Sequence, residues 1–180
     1  MKRFFILLTL VNLSFYSDAQ SNREITITEI GWTFMPPEGF KLMDSSIKTY
    51  KVSPEVDYWS KTIVLQKSKN LLTASISFFT NENELERERM YKVERNRSYN
   101  IATKQKPNLK LDSSTTIAKV GDLSFNKFTV SSKENGVLVY NHVELTKFYK
   151  GYKCMIVYNC IDRTIGDEIE KLLQASKFVK

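Results

Sequence analysis

The chain has 180 residues, 42% of them hydrophobic, and a formal net charge of +7. That length suits about one domain and buries enough surface to need no covalent staples. One histidine and two cysteines in the whole chain are too few for a His/Cys metal centre, and the glycines fall at turns rather than in a phosphate-cradling loop.

The N-terminus has the three parts of a secretory signal: a basic start, a short apolar run and a small-residue cleavage site. Lys2 and Arg3 supply the first, Phe4 to Leu13 the second, and Ser17 with Ala19 the third. The apolar run is about half of the roughly 20 residues a spanning helix needs. No cysteine follows it for lipid attachment, and no second run of spanning length occurs downstream. Residues 1–19 are therefore expected to be cleaved, leaving residues 20–180 as a single domain in a periplasm or outside the cell, with no transmembrane span. Export makes nucleic acid a poor match for the basic charge. An acidic partner or a merely solvated basic surface fits it better.

Next in order, Glu24 to Glu29 alternates Ile and Thr and reads as a strand, which Trp32, Phe34 and Met35 continue into a turn at Pro36-Pro37-Glu38-Gly39. Tyr50 to Val52 reads as a short extended piece ended by Pro54. Thr62 to Gln66 and Leu72 to Phe79 read as strands joined by a hairpin turn at Lys67 to Asn70. A helix is then expected from Asn81, with Glu84 at capping-box spacing. Its acids come first and its bases last, which suits the helix dipole, and Leu85, Met90 and Val93 give it a narrow apolar stripe. After a polar loop at residues 103–108 come four strand-like runs: Thr115–Val120, Leu123–Ser131, Val137–Tyr149 and Tyr152–Cys160. They turn at Gly121-Asp122, Asn135-Gly136 and Lys150-Gly151. The last run is apolar on both faces and reads as a central, covered strand. A final helix is expected near Thr164 with Asp167 as a capping acid, and Ile165, Ile169, Leu172 and Leu173 line one face. Phe178 and Val179 can then pack back on the sheet edge. Cys154 and Cys160, six apart on one strand, would be roughly 20 Å apart. That is beyond the ~7 Å limit of a disulfide, so both read as buried small hydrophobes.

Strands, a helix, an antiparallel meander and a second helix give an α+β class: an antiparallel meander covered by two helices, an α/β/α sandwich. At this point the chain resembles the PsbP-like family, small proteins that include exported bacterial members. The resemblance is carried by Trp32-Thr33-Phe34-Met35-Pro36-Pro37-Glu38-Gly39-Phe40, by the long meander after a mid-chain helix, and by a C-terminal helix followed by Ser176-Lys177-Phe178. It spans residues 24–180. It implies a binding or assembly role and carries no shared active site onto these residues.

Candidate chemistry is sparse. His142, the sole histidine, is the one ready general base near neutral pH. It shares a strand face with Tyr140 and Glu144, so a hydrolase using His142 is a third reading, although no serine sits in a nucleophile-elbow motif. Glu55 and Asp57 flank Val56 in a loop, where nothing fixes the separation that paired carboxylates require. Asp57-Tyr58-Trp59-Ser60 is the most suggestive binding segment, since Tyr and Trp dominate interface hot spots. A basic stretch over residues 87–110, including Arg95 and Arg97 with Tyr91 and Tyr99 interleaved, could meet an acidic partner or simply be a solvated helix face. The leading expectation is an exported, non-enzymatic accessory or binding protein without cofactor or metal. Its partner would be an envelope or extracellular protein, and its binding residues Tyr58, Trp59, Arg95 and Arg97. The alternative is a carrier for a small apolar ligand, with a pocket lined by Phe79, Met90 and Leu172.

Overall fold

In the computed structural model, the described residues are 24–53, 56–79, 110–134 and 137–179, with Arg89, Lys92, Val93 and Asn96. Ten strands occur in order: β1 (Ile25–Ile27), β2 (Trp32–Phe34), β3 (Lys41–Ser53), β4 (Val56–Lys67), β5 (Asn70–Phe79), β6 (Lys110–Val120), β7 (Leu123–Glu134), β8 (Val137–Tyr149), β9 (Tyr152–Cys160) and β10 (Lys177–Phe178). A helix, α1 (Arg163–Ala175), falls between β9 and β10.

The strands form two antiparallel sheets, a seven-stranded one in the order β3-β4-β5-β9-β8-β7-β6 and a three-stranded one in the order β1-β2-β10. The large sheet is two meanders, β3-β4-β5 and β6-β7-β8-β9, joined where β5 pairs β9 with Ala74 opposite Ile156. β9 is thus the middle strand of seven. Alternation along β9 buries Cys154, Ile156, Tyr158 and Cys160 on the face toward α1 and leaves Lys153, Met155, Val157 and Asn159 half-buried on the far face. Through the registers of β4, β5, β7 and β8, the near face gathers Ile63, Leu65, Leu72, Ile76, Phe125, Val143 and Leu145. These join Ile27, Trp32, Phe34 and, from α1, Ile169 and Leu173 in one core. Each fully buried aliphatic or aromatic side chain there is worth roughly 1.5–3 kcal/mol.

α1 packs on this core as its periodicity dictates: Ile169 and Leu173 are buried, Ile165 and Leu172 half-buried. Its N-cap is Asp162, upstream of the expected start at Thr164, and the capping acid is Asp162 rather than the expected Asp167. The Asp162 carboxylate accepts from the Thr164 backbone N–H at 2.8 Å, the usual role of an N-cap acid. Beyond α1, Ser176 closes the end of the helix, its N–H and hydroxyl both donating to the Leu173 carbonyl at 3.3 and 2.6 Å.

Among the described residues, the meander is not covered on both sides by helices. The molecule is dominated by strands in two antiparallel sheets, and the near face of the large sheet is covered jointly by α1 and the small sheet. Of the segment expected to give the second helix, only Arg89, Lys92, Val93 and Asn96 lie within the described residues. All four are helical and exposed, and Val93, assigned above to the apolar stripe, is 56% exposed.

Three further expectations change. β1 does not run on into Trp32: residues Thr28 to Gly31 turn the chain back, and β2 pairs antiparallel with Ile25 opposite Phe34. Gly31 makes that turn possible at φ +66°, a conformation that disfavours a Cβ. The short piece at Tyr50–Val52 is the end of a 13-residue strand, β3. The strand at Thr115 begins five residues earlier, as β6. β8 and β9 match their expected bounds, and the turn between them has Lys150 and Gly151 at φ +50° and +79°. The Asn135-Gly136 turn and the signal-peptide segment lie outside the described residues.

Candidate functional site

The two-residue turn at Lys150-Gly151 sets the register of β8 on β9 and places His142 directly opposite Asn159. Both side chains point to the far face, as does Glu144 two residues on. One imidazole nitrogen, Nδ1, lies 2.7 Å from Asn159 Oδ1, and the other, Nε2, lies 2.9 Å from Glu144 Oε1. Two oxygen acceptors face two ring nitrogens, so the doubly protonated imidazolium satisfies both contacts by donating twice, while the neutral ring satisfies one. Burial opposes the charge, but the hydrogen bonds to Glu144 and Asn159 and the Glu144 charge outweigh it, and the His142 pKa is raised above its ordinary value. Chemically this is a cross-strand clamp that prefers the protonated ring. A general base needs the opposite: a free nitrogen aimed at a substrate proton.

The segment Tyr58-Trp59 does not form one surface. Neighbouring residues on β4 point to opposite faces: Tyr58 lies on the far face, opposite Tyr50 and Phe79, and Trp59 on the near face, opposite Phe78. Trp59 stacks on Phe78 with ring centroids 5.9 Å apart. Tyr152 meets both edge-on, at 5.8 Å from Trp59 and 5.7 Å from Phe78. All three rings are half-buried; Trp59 and Tyr152 pack on the core, and the trio still presents aromatic surface. Glu29, from the β1–β2 turn, reaches the same face of β4 and accepts from Lys61 Nζ with both carboxylate oxygens at 3.1 Å.

Arg95 and Arg97 lie outside the described residues, as do the side chains of Glu55 and Asp57. Lys92, from the same basic stretch, is exposed. Of the residues expected to line an apolar pocket, Leu172 is half-buried on α1, whereas Met90 and the Phe79 side chain lie outside the described residues. Between α1 and the sheet, Ile169, Leu173, Ile156 and Leu145 are at most 2% exposed and belong to one core cluster.

The cysteines sit six residues apart on unbroken β9, both free and buried on the near face. Burial pushes the Cys154 thiol up to about 12, and burial with the nearby Asp162 charge pushes Cys160 up to about 11. Thiols held protonated in this way are poor nucleophiles and poor metal ligands. Among the described residues, no three His, Cys, Asp or Glu side chains converge as a metal set would require, and no helix is long and apolar enough to cross a membrane.

Beneath α1, one polar group is unusually buried. Tyr158, fully buried, donates to Glu170 Oε1 at 2.5 Å, and Lys127 donates to the same oxygen at 2.6 Å. Burial, followed by the hydrogen bond to Glu170, drives the Tyr158 pKa upward, so it stays a phenol. Sequence reasoning missed Asn159, Phe78 and Tyr152 as partners. Counting back from the Lys150-Gly151 turn would have paired His142 with Asn159. Counting back from the Lys67–Asn70 turn would have paired Trp59 with Phe78.

No family model matches the sequence, and no curated protein matches it. Among solved structures, the chain is similar to cyanobacterial PsbP (CyanoP) from Synechocystis sp. PCC 6803, with a TM-score of 0.53 at 11% sequence identity. The match covers 89% of this chain and 94% of that one. The likeness is one of fold, and in that sense the PsbP-like architecture is shown.

Proposed function

We propose that this chain is an exported, non-enzymatic accessory protein that works as one domain, residues 20–180, after removal of residues 1–19, and binds a protein partner in the cell envelope or outside the cell. The observation that carries the reading is the PsbP-like fold, matched over 94% of the cyanobacterial protein. The resemblance implies binding and assembly rather than catalysis. The side-chain chemistry agrees: the imidazole is engaged at both nitrogens by its own sheet, and the thiols are buried and held protonated.

Among the described residues, the binding surface that fits best is the half-buried trio Trp59, Phe78 and Tyr152. Rigid aromatics offer large contact area at small entropic cost and are enriched at interface hot spots. Tyr58, on the opposite face, then belongs to a separate surface. Arg95 and Arg97 remain candidates for the charged part of the contact, suited to an acidic partner.

The test is a crosslinked pull-down of tagged protein from the native cell envelope, read by mass spectrometry. The wild type and His142→Ala should retain one reproducible envelope protein that Trp59→Ala and Tyr152→Ala lose. A turnover abolished by His142→Ala would overturn the non-enzymatic reading.

A further inference from the structure

Among the described residues, β3 is an outer strand of the seven-stranded sheet, hydrogen-bonded to β4 on one side only. Its other side presents a row of backbone donors and acceptors, a ready template for another strand. The row is open: residues 41–45 and 47–49 are exposed, and Leu42, Met43 and Ile47 are 56%, 61% and 62% exposed. Register shifts at Leu42/Asp44 and Lys51/Ser53 bracket one straight run, Asp44 to Lys51.

Within that run, Asp44, Ser46 and Lys48 stand opposite Val64, Thr62 and Ser60 of β4, and so share the far face. Asp44 and Lys48 are both exposed, and neither has an ion-pair partner among the described residues. They lie at equal distances on either side of Ser46. An antiparallel pair of β3 strands with its two-fold axis at Ser46 therefore sets Asp44 of each copy directly opposite Lys48 of the other. The same axis sets Ser45 opposite Ile47 on the near face. Moving the axis to Asp44 or to Lys48 opposes like charges, and moving it to Ser45 or Ile47 leaves both charges without an opposite. Asp44 and Lys48 thus select one register, and one partner: a strand with the same pattern run in reverse, which a second copy of this chain supplies; Lys41, which the same count would set against Lys51, lies beyond the register shift at Leu42/Asp44 and outside this straight run. The opposite edge lacks this device, because Asp112 on β6 is already paired with Lys133 at 3.5 Å.

We propose that two copies of this chain associate edge to edge through β3, antiparallel about a two-fold axis at Ser46, joining their two large sheets into one. Such an isologous contact closes on itself and removes an edge that would otherwise invite open-ended aggregation.

Sedimentation equilibrium of the purified protein across a concentration series tests this. The wild type should show a monomer–dimer equilibrium. Asp44→Lys and Lys48→Asp each place like charges at both symmetric contacts and should weaken the dimer by about tenfold or more. The double variant D44K/K48D exchanges the charges, keeps their opposition and should recover the wild-type constant. Both positions are exposed, and thermal melts followed by circular dichroism confirm that each variant is folded. A wild type that remains monomeric throughout the series overturns the proposal, as does a double variant no tighter than the single ones.

Discussion

His142 shows how much of a residue's role depends on its opposite number. On sequence alone it is a lone histidine near a glutamate; in the sheet it bridges Glu144 and Asn159. Because its folded pKa is raised, the stability it contributes is fully present below the unfolded value, about 6.5. That contribution is lost as pH rises through the higher folded value. Urea unfolding of the wild type and His142→Gln between pH 5.5 and 8.5 should show the wild type losing stability relative to the variant as pH rises. A constant difference across that range would mean that the ring does not titrate in the fold. A second residue-scale outcome concerns Trp32, whose indole N–H donates to Ser176 Oγ at 2.9 Å in a buried site. Ser176→Ala leaves that donor unsatisfied and should lower the unfolding free energy by about 1–3 kcal/mol, measured by chemical denaturation.

At the scale of the element, α1 offers the clearest adjustment. Gly166 sits inside it, buried, yet a Cβ built there meets nothing within 4 Å. Its φ is not in the left-handed region, so alanine relieves the helical cost of glycine without a clash. Gly166→Ala should stabilise the protein by about 0.5–1 kcal/mol, seen as a higher midpoint in the same denaturation. The elements that were legible in the sequence are those with one buried face. α1 declared itself through Ile165, Ile169, Leu172 and Leu173, β8 through its run between two-residue turns, and β9 through the apolar residues on both its faces that mark a central strand. β3 and the first half of β6 were not legible, because an outer strand with exposed residues on both faces has no apolar period to read: Asp112 to Ile117 of β6 are all exposed. The break between β1 and β2 was missed for another reason. Apolar residues occur on both sides of Thr28–Gly31, and the reversal is made by the backbone of Gly31 rather than by a change in hydrophobicity. For the candidate site, residue types were readable, but which face each residue takes follows only from a continuous strand, and that separates Tyr58 from Trp59.

Across the whole molecule, the last few residues hold the two sheets together. β10 pairs β2, with Phe178 opposite Trp32, and the Phe178 ring stacks on Trp32 at 5.9 Å while meeting Tyr149 of the large sheet edge-on at 5.5 Å. The Val179 N–H donates to the Gly31 carbonyl at 2.8 Å. On the other side, the Gly121 N–H, from the β6–β7 turn, donates to the Leu173 carbonyl at 2.9 Å. Two glycines make room for this segment: a Cβ at Gly31 would lie 2.6 Å from the Val179 carbonyl oxygen, and one at Gly121 would lie 2.6 Å from that of Ser176. Gly151 is the natural control, since it has φ +79° but open space around it. Alanine at Gly151 incurs only the left-handed backbone penalty, roughly 1–2 kcal/mol. Alanine at Gly121 carries the same penalty and must also push the C-terminal segment off the turn. Gly121→Ala should therefore destabilise the protein by at least about 1 kcal/mol more than Gly151→Ala, and hydrogen exchange should show the loss of protection concentrated at β10 and the end of α1. Equal effects of the two substitutions would mean that the tail yields freely and that the small sheet is held by its own core residues, Ile27, Trp32 and Phe34, rather than by the C-terminal clasp.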